Sequence, residues 1–397
     1  MVNYVFLSVY FYSVPNLRFN NNPYKKYNLY EFATHVTRKN KDNVSNLPLT
    51  ISAQYGLVDQ VSFFNKTVAS KDMSGYYLLK NGEFAYNKSY SNDYPWGAIK
   101  RLDLYNMGCL STLYICFKSN DNIVNSNYLV HYFESPKWHK QVADIAGEGA
   151  RNHGLLNIAV NDFFNTKHAV PTIENQIKIA RFLDLIEERI QTQIKIIDDL
   201  LTVKNGISNK LFKLQQIELS NHYLFEYLIE GDKTAVDTSC YKKITVKLNN
   251  QGLAFSELNR EMADTRPFYV RHKGELIIGK QNYFNGSIAI VTEQFDNCIC
   301  SNAIMSFKIK GIYSDFLYYQ ISNNNYLNSQ SYKANGTGQK ELSEKEFLNF
   351  KIWCPQLEVQ QKIVNCFKSL DLKIENEKAI LNSYFQEKSY LLNNMFI

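Results

Sequence analysis

Two long segments of the chain carry mostly apolar residues at alternating spacings of four and three. In the first segment these positions are Ile179, Leu183, Ile186, Ile190, Gln193, Ile197, Leu200, Lys204, Ile207 and Leu211. In the second they are Ile363, Phe367, Leu370, Ile374, Glu377, Leu381, Tyr384, Lys388, Leu391 and Met395. This spacing is a heptad seam, narrower than the apolar stripe of an ordinary surface helix. It predicts two coiled-coil helices of about 40 residues, each about 60 Å long.

The two helical segments are copies of one another. They open on Pro171 and Pro355, and residues 171–179 and 355–363 share Pro, Glu, Gln, Lys and Ile at the same positions. Proline suits the first turn of a helix, and a glutamate there lies near the positive end of the helix dipole. The polar interruptions of the two seams also coincide, and such residues fix the register and partner of a coiled coil. The two segments are therefore predicted to pack together within the chain; two unrelated amphipathic helices are the alternative.

A domain precedes each helix, and the domains are repeated too. Residues 82–88 (Gly-Glu-Phe-Ala-Tyr-Asn-Lys) recur as residues 274–280 (Gly-Glu-Leu-Ile-Ile-Gly-Lys), and the Gly-x-Gly loop at 147–149 recurs at 336–338. Short β-branched and aromatic runs bounded by Asn, Asp and Gly predict strands. These runs are 47–52, 110–117, 243–248, 286–292 and 303–308, with helices at 127–133 and 315–321.

These patterns predict a mixed α/β (α+β) fold in which two similar domains of small sheets and helices alternate with two long helices. The Asn-Gly pair at 205–206 is expected to fray or bend the first helix near its end. The predicted boundaries are a first domain at 1–167, a first helix at 168–215, a second domain at 216–353 and a second helix at 354–397.

Composition permits a polyanionic partner without requiring one. The 397 residues have a net charge of +6 and a pI near 8.7. Residues 1–167 hold 17 Lys and Arg against 12 Asp and Glu, whereas residues 216–354 hold 15 of each. The seven cysteines are scattered without zinc-site spacing, which favours free thiols in a reducing cytoplasm. The apolar stretch at 1–12 lacks a basic flank and is too short to span a bilayer.

Sequence motifs for catalysis or cofactor binding are missing. Gly279-Lys280 is followed by Gln281 and lacks the upstream glycine of a P-loop. Asn-Pro-Tyr at 22–24 is similar to the clamp of amino-methyltransferases, but the second proline and the cofactor glycines are missing, so it is interpreted as a turn. The sequence has no nucleophile elbow and no acidic cluster with metal-ligand spacing. These absences favour a non-enzymatic chain that recognises a partner, with no cofactor or metal of its own.

Polar residues in turns beside the predicted strands are the candidates for that recognition. Arg, Lys, Asn and Gln can read base edges bidentately and hold phosphates. The alternative for any one of them is a solvated loop in an Asn-rich protein. Their position in corresponding loops of two domains favours nucleic acid. The candidates are Gln54, Tyr55, Lys88, Ser89, Tyr90, Lys100, Arg101, Arg151, His153, Asn250, Lys280, Gln281, Asn282, Tyr283, Lys333 and Lys340.

Together with the repeats, these residues give the chain a resemblance to the specificity subunit of Type I restriction-modification systems, and the resemblance covers nearly the whole length. The resemblance is carried by Val-Pro-Asn-Leu-Arg-Phe at 14–19, the stretch at 82–90, the two Gly-x-Gly loops and the repeated helix openings. The paired helix openings are specific, whereas the opening stretch alone is weak. The apolar residues before position 14 depart from the usual start of the family.

The resemblance implies two target recognition domains, each reading one half of a gapped, bipartite site in double-stranded DNA. It also implies that the two repeated helices form an antiparallel rod that fixes the gap. Two methyltransferase subunits would dock on this core, and restriction/translocase subunits can join. Catalysis, S-adenosylmethionine, ATP and Mg would belong to these partners. The alternatives are a scaffold that spaces two protein-binding domains without reading DNA, and a stand-alone DNA enzyme, which the lack of catalytic motifs in the sequence disfavours.

Overall fold

A computed structural model describes residues 24–91, 94–146, 154–217, 222–256, 266–331 and 341–396. Backbone contacts divide the chain into two compact units. Unit 1 comprises Met1–Gln193 and Ile380–Ile397, and unit 2 comprises Ile194–Ala379. Each unit therefore contains one of the two repeated domains together with one part of each long helix.

Unit 1 is built on short antiparallel strands. The strands are β1 (Lys25–Asn28), β2 (Ala33–His35), β3 (Leu49–Ser52), β4 (Gly56–Asp59), β5 (Tyr77–Lys80), β6 (Phe84–Asn87), β7 (Ala98–Arg101), β8 (Met107–Leu110), β9 (Ile115–Ser119) and β10 (Lys167–Val170). The helices are α1 (Leu29–Phe32), α2 (Gln60–Phe64), α3 (Ser126–Glu134), α4 (His139–Ile145), α5 (Val160–Phe164), the first part of the long helix α6 (Ile173–Ile217) and the last part of the second long helix, α11 (Leu357–Asn394).

A four-stranded sheet in the order β2-β9-β6-β7 forms the centre of unit 1, and β1-β10, β3-β4 and β5-β8 are separate antiparallel pairs. Phe84 of β6 lies opposite Phe117 of β9, and their rings stack 5.2 Å apart. Phe133 of α3 packs edge-on against both rings. The alternation of apolar side chains along these strands thus places an aromatic core between the sheet and α3.

Unit 2 repeats this architecture. Its strands are β11 (His222–Tyr223), β12 (Leu228–Glu230), β13 (Ile244–Val246), β14 (Leu253–Phe255), β15 (Phe268–Arg271), β16 (Leu276–Gly279), β17 (Ile288–Ile290), β18 (Cys298–Ser301), β19 (Ile304–Ile309) and β20 (Lys351–Ile352). Its helices are α7 (Leu224–Tyr227), α8 (Ser314–Ile321), α9 (Asn324–Gln330), α10 (Glu344–Leu348), the second part of α6 and the first part of α11 (Leu357–Asn394).

The sheet order of unit 2 matches that of unit 1 strand for strand. The four-stranded sheet is β12-β19-β16-β17, and the pairs are β11-β20, β13-β14 and β15-β18. Leu276 lies opposite Phe307, as Phe84 lies opposite Phe117 in unit 1. The predicted mixed α/β fold with two similar domains is therefore confirmed, and the duplication read from the sequence is a duplication of structure.

The long helices bury the predicted seam. Every seam position from Ile179 to Leu211 in α6 and from Ile363 to Leu391 in α11 is buried or half-buried, as is Met395 just after α11. Most of the positions between them are exposed. In unit 1, Lys388 of α11 pairs with Glu187 of α6 at 2.7 Å. In unit 2, Lys204 of α6 pairs with Asp371 of α11. Within unit 2, Ser208 and Leu211, which follow Lys204 along α6, line one pocket with Ile363 and Phe367, which precede Asp371 along α11. The two helices therefore run antiparallel there.

Two local expectations from the sequence differ from the structure. The run at 110–117 is not one strand, because β8 ends at Leu110 and β9 begins at Ile115. The intervening residues form a turn whose Tyr114 N–H donates to Ser111 O. The expected fraying at the Asn-Gly pair at 205–206 does not occur, because α6 continues as a helix to Ile217. Packing of the seam outweighs the poor helix propensity of one glycine. None of the helices in the described part of the chain is long and apolar enough to cross a membrane.

Candidate nucleic-acid interface

Two candidate lysines occupy the same place in the two units. Lys88 follows β6 and Lys280 follows β16, the equivalent central strands. The carbonyl of Lys88 accepts from the N–H of Leu156 at 2.9 Å, and the carbonyl of Lys280 accepts from the N–H of Leu342 at 3.0 Å. Backbone hydrogen bonds therefore hold each lysine at the end of its strand, next to the later segment of the same unit that contains Leu156 or Leu342.

The surroundings of the two lysines differ. Lys88 is half-buried, its Nζ lies 3.4 Å from the carbonyl of Ile158, and burial lowers its pKa. It forms no ion pair with any described residue. The Nζ atom of Lys280 lies 3.7 Å from one carboxylate oxygen of Glu344. The other oxygen of Glu344 pairs with Lys233 at 2.5 Å. Unit 1 thus presents a lysine alone, whereas unit 2 presents a lysine beside an acceptor.

Lys100 and Arg101 on β7 are engaged within unit 1. Lys100 pairs with Glu134 of α3 at 3.2 Å. Arg101 donates to Asp103 at 2.7 Å, and its Nη1 donates to Ser126 and Asn127 at the start of α3. These bonds hold β7 to α3, and contact of either side chain with DNA stays a prediction.

The candidates at the equivalent β3–β4 and β13–β14 turns also differ. Gln54 and Tyr55 are exposed, Tyr55 by 68%. Asn250 adopts a positive φ of 57° and its side-chain amide donates to the carbonyl of Ser322 at 3.0 Å. Positive φ is tolerated by asparagine, so Asn250 shapes its turn and ties it to the end of α8. The first turn is open to a ligand, and the second is fixed by its own unit.

The remaining candidates lie near the two lysines or outside the described residues. Ser89 is exposed and bridges to Leu155, and the N–H of Tyr90 donates to the carbonyl of Gly154 at 3.1 Å. Gln281 and Asn282 are exposed next to Lys280. Outside the described residues are Arg151, His153, Lys333 and Lys340.

Tyr283 is a core residue, which corrects its prediction as a DNA contact. Its side chain has 0% exposure and its hydroxyl donates to the carbonyl of Ile321 at 3.0 Å. The ring packs edge-on against Phe347 at 5.4 Å, and burial raises its pKa well above the usual value. A side chain without exposed surface cannot stack on or hydrogen-bond to a DNA base. The sequence placed Tyr283 beside Lys280 but could not show that the chain turns inward between them.

Two glutamines that the sequence repeats were not among the candidates, and they join the domains to the helices. Gln176 accepts from the N–H of Asn125, the N-cap of α3, at 2.7 Å and donates to the proline that opens α6. Gln360 accepts from the N–H of Tyr313, the N-cap of α8, at 2.9 Å and donates to the proline that opens α11. Their identity in both helix openings was the signal that could have found them.

An ion-pair network also fixes the domain of unit 1 to both helices. Glu134 of α3 lies between Lys100 at 3.2 Å and Lys388 of α11 at 2.9 Å, and Lys388 reaches Glu187 of α6 at 2.7 Å. Burial raises the pKa of Glu134, but Lys100 and Lys388 outweigh this effect and hold its pKa at about 2. Within the described ranges, no group of three or more His, Cys, Asp and Glu is arranged to hold a metal ion.

Comparison with solved structures defines the class of fold. The chain superposes with a TM-score of 0.58 and 14% identity on a chain from a study of assembly and conformational transition of a type I restriction-modification (R-M) system, covering 94% of this chain and 97% of that one. It matches the S subunit of a Type I restriction-modification system from M. genitalium with a TM-score of 0.54 and 16% identity, covering 97% and 99%. At such identities the likeness shows the fold, which is that of Type I specificity subunits.

Sequence comparison finds the same class of protein. Residues 207–383 match the Type I restriction modification DNA specificity domain. The chain is 24% identical over 318 residues to the Type I restriction enzyme MjaVIII specificity subunit of Methanocaldococcus jannaschii, covering 72% of this chain and 73% of the relative. The chain thus carries a Type I restriction modification DNA specificity domain in its second half, and over most of its length it is similar to a Type I specificity subunit.

Proposed function

We propose that this chain is the DNA-reading subunit of a Type I restriction-modification complex, and that each unit reads one half of a gapped site. The similarity to Type I specificity subunits and the duplicated fold support this proposal. Half-buried lysines at corresponding strand ends, with the exposed amides of Gln281 and Asn282 beside Lys280, supply the donors and acceptors that base edges and phosphates require. The chain itself carries out no reaction in this proposal; S-adenosylmethionine, ATP and Mg are bound by partner subunits.

The observation that carries the proposal is an ion pair between the long helices that occurs in both units. The lysine comes from α11 in unit 1 and from α6 in unit 2. Lys388 of α11 meets Glu187 of α6 in unit 1, and Lys204 of α6 meets Asp371 of α11 in unit 2. Each recognition domain therefore contacts an equivalent helix pair, as a reader of two half-sites requires. We propose that the length of this antiparallel pair sets the gap between the half-sites.

Partner subunits are proposed to dock on the outer faces of the long helices. Several large apolar side chains there lie off the buried seam and are exposed. They include Ile177, Phe182, Leu185, Leu201, Leu372 and Phe385. A docked partner helix would bury these side chains. Two methyltransferase subunits would use this surface, one for each copy of the repeated helix, and restriction subunits would join them.

The test is co-expression with a matching methyltransferase subunit, followed by single-molecule mapping of modified adenines. Lys88→Ala should relax or weaken one half-site and Lys280→Ala the other, by about 1 to 3 kcal/mol for each lost base contact. Lys66→Ala and Lys247→Ala, exposed lysines of the same units, are the matched controls. If neither Lys88→Ala nor Lys280→Ala changed any half-site, a scaffold that spaces protein-binding domains would be the better reading.

A further inference from the structure

Unit 2 opens a cleft of about 790 Å³ beside Lys280. Its walls include Lys233, Tyr269, Arg271, Lys280 and Glu344. They come from segments far apart in sequence: the loop after β12, the strand β15, the end of β16 and the start of α10. A cleft of this size with a few convergent polar groups is the usual form of a specific binding site.

Arg271 shows that this cleft is suited to an electron-rich group. Its side chain is only 2% exposed. Nε donates to the sulfur of Cys300 at 3.1 Å, and Nη1 donates to the carbonyls of Asp232 at 2.9 Å and Val270 at 3.3 Å. The guanidinium lies 5.3 Å from the centre of the Tyr269 ring, and none of these three hydrogen bonds uses Nη2. Among the described residues no carboxylate lies within ion-pair distance of this guanidinium. A buried charge without a counter-charge is costly, so a hydrogen-bond acceptor entering the cleft would be favoured there.

Glu344 adds an acceptor next to these donors. One of its oxygens is held by Lys233 at 2.5 Å, and the other lies 3.7 Å from Lys280. A carboxylate offers about four lone-pair positions, and the longer contact leaves the second oxygen able to accept from another group. The side chain is 20% exposed, so that oxygen can be reached from the cleft.

Unit 1 lacks this acceptor at the same position. The N–H of Leu156 donates to the carbonyl of Lys88, and the N–H of Leu342 donates to the carbonyl of Lys280. Two residues after these leucines the chain has Ile158 in unit 1 and Glu344 in unit 2. Lys88 therefore faces the Ile158 carbonyl where Lys280 faces a carboxylate. The two units present different chemistry at one place in a shared fold.

We propose that Lys280 and Glu344 together read a G·C base pair in the half-site of unit 2. In the major groove, guanine presents the acceptors O6 and N7, and cytosine beside it presents the N4 amino donor. Lys280 donates to the guanine, and the second oxygen of Glu344 accepts from the cytosine. Arg271 supplies a second donor within the cleft. In unit 1, Lys88 donates to base acceptors, but no carboxylate equivalent to Glu344 is present at Ile158 to accept from the paired base. The inference rests on the proposed DNA-reading function and deepens it.

The test maps modified sites for complexes carrying Glu344→Ala or Lys280→Ala. Both changes should relax the same C·G position in one half-site, with discrimination falling about 5- to 150-fold, and leave the other half-site unchanged. Glu344→Gln keeps an acceptor oxygen and should retain part of the preference. Glu293→Ala is the matched control, because Glu293 also pairs with a lysine of unit 2, Lys273, outside the cleft lining.

A DNA-side measurement keeps the proposal testable if Glu344→Ala fails to assemble. Duplexes with 2-pyrimidinone in place of the cytosine lack the N4 amino group. They should bind the unaltered complex about 5- to 150-fold more weakly than the natural duplex, with Glu344→Gln showing a smaller loss. Equal binding of both duplexes, or a unit 2 half-site without a C·G pair, would overturn the base-pair assignment while leaving the DNA-reading function intact. If neither Lys88→Ala nor Lys280→Ala changed the modified half-sites, the proposed DNA-reading function itself would be overturned.

Discussion

Replacing Glu134 by glutamine should destabilise the junction between the unit 1 domain and the long helices. The carboxylate is 23% exposed and lies between Lys100 at 3.2 Å and Lys388 at 2.9 Å. Glutamine keeps the size of the side chain but removes its charge, as protonation does. The variant therefore mimics the protonated state of Glu134 at every pH.

The expected size of the effect follows from the pKa of Glu134. Lowering that pKa from 4.5 to about 2 corresponds, at about 1.36 kcal/mol for each pH unit, to about 3 kcal/mol of folding free energy. Because the folded-state pKa is depressed, this stability is fully present above pH 4.5 and is lost as the pH falls toward 2. By pH 3, about 2 kcal/mol of it should be gone.

The assay is hydrogen–deuterium exchange of peptides from α3, with the variant and the unaltered chain compared at each pH so that intrinsic exchange rates cancel. The free-energy difference should be up to about 3 kcal/mol at pH 7 and about 1 kcal/mol at pH 3. Glu188→Gln, an exposed carboxylate on α6, is the control and should change α3 protection little. A difference that stayed constant from pH 7 to pH 3 would refute the reasoning, since it could not then arise from the charge of Glu134.

Three further outcomes are expected. Replacing Ile190 and Ile374, which are 1% and 5% exposed, by Asp should abolish modification of both half-sites together, because a buried charge costs several kcal/mol; retained modification would show that the seam is dispensable. Gln176→Leu and Gln360→Leu should each destabilise only the unit that contains it, by about 1 to 3 kcal/mol, as thermal unfolding and exchange would show. Lengthening both long helices by one heptad, about 10 Å, should widen the mapped gap by about three base pairs without changing either half-site.

The long helices and the duplication could be predicted from the sequence because both depend on local periodicity. A heptad seam recurs along one chain segment, so the buried positions from Ile179 to Leu211 were identified without knowing any partner, and the structure confirms them. The strands were predicted less completely. The run at 110–117 looks continuous in hydropathy, but a turn divides it, because sheet pairing rather than apolar content determines where a strand ends.

The candidate site was only partly accessible to sequence reasoning. Lys88 and Lys280 were recognised as equivalent from the repeated stretch, and the backbone bonds confirm that equivalence. Their partners come from residues about 60 to 70 positions away, Ile158 and Glu344, and no local pattern reports such a pairing. Contacts with DNA at Arg151, His153, Lys333 and Lys340 stay predictions, since these residues lie outside the described ranges.

The sequence by itself determined the repeated order of domain and helix, the register of the seam and the residue types available at each strand end. Only the tertiary structure decided which of those residues face a ligand. Tyr283 and Gln281 stand two positions apart, yet one fills the core and the other is exposed. Arg271 shows no sequence signal and lines the unit 2 cleft. Burial and charge pairing depend on atoms brought together from distant segments, and the free energy of those contacts exists only in the folded chain.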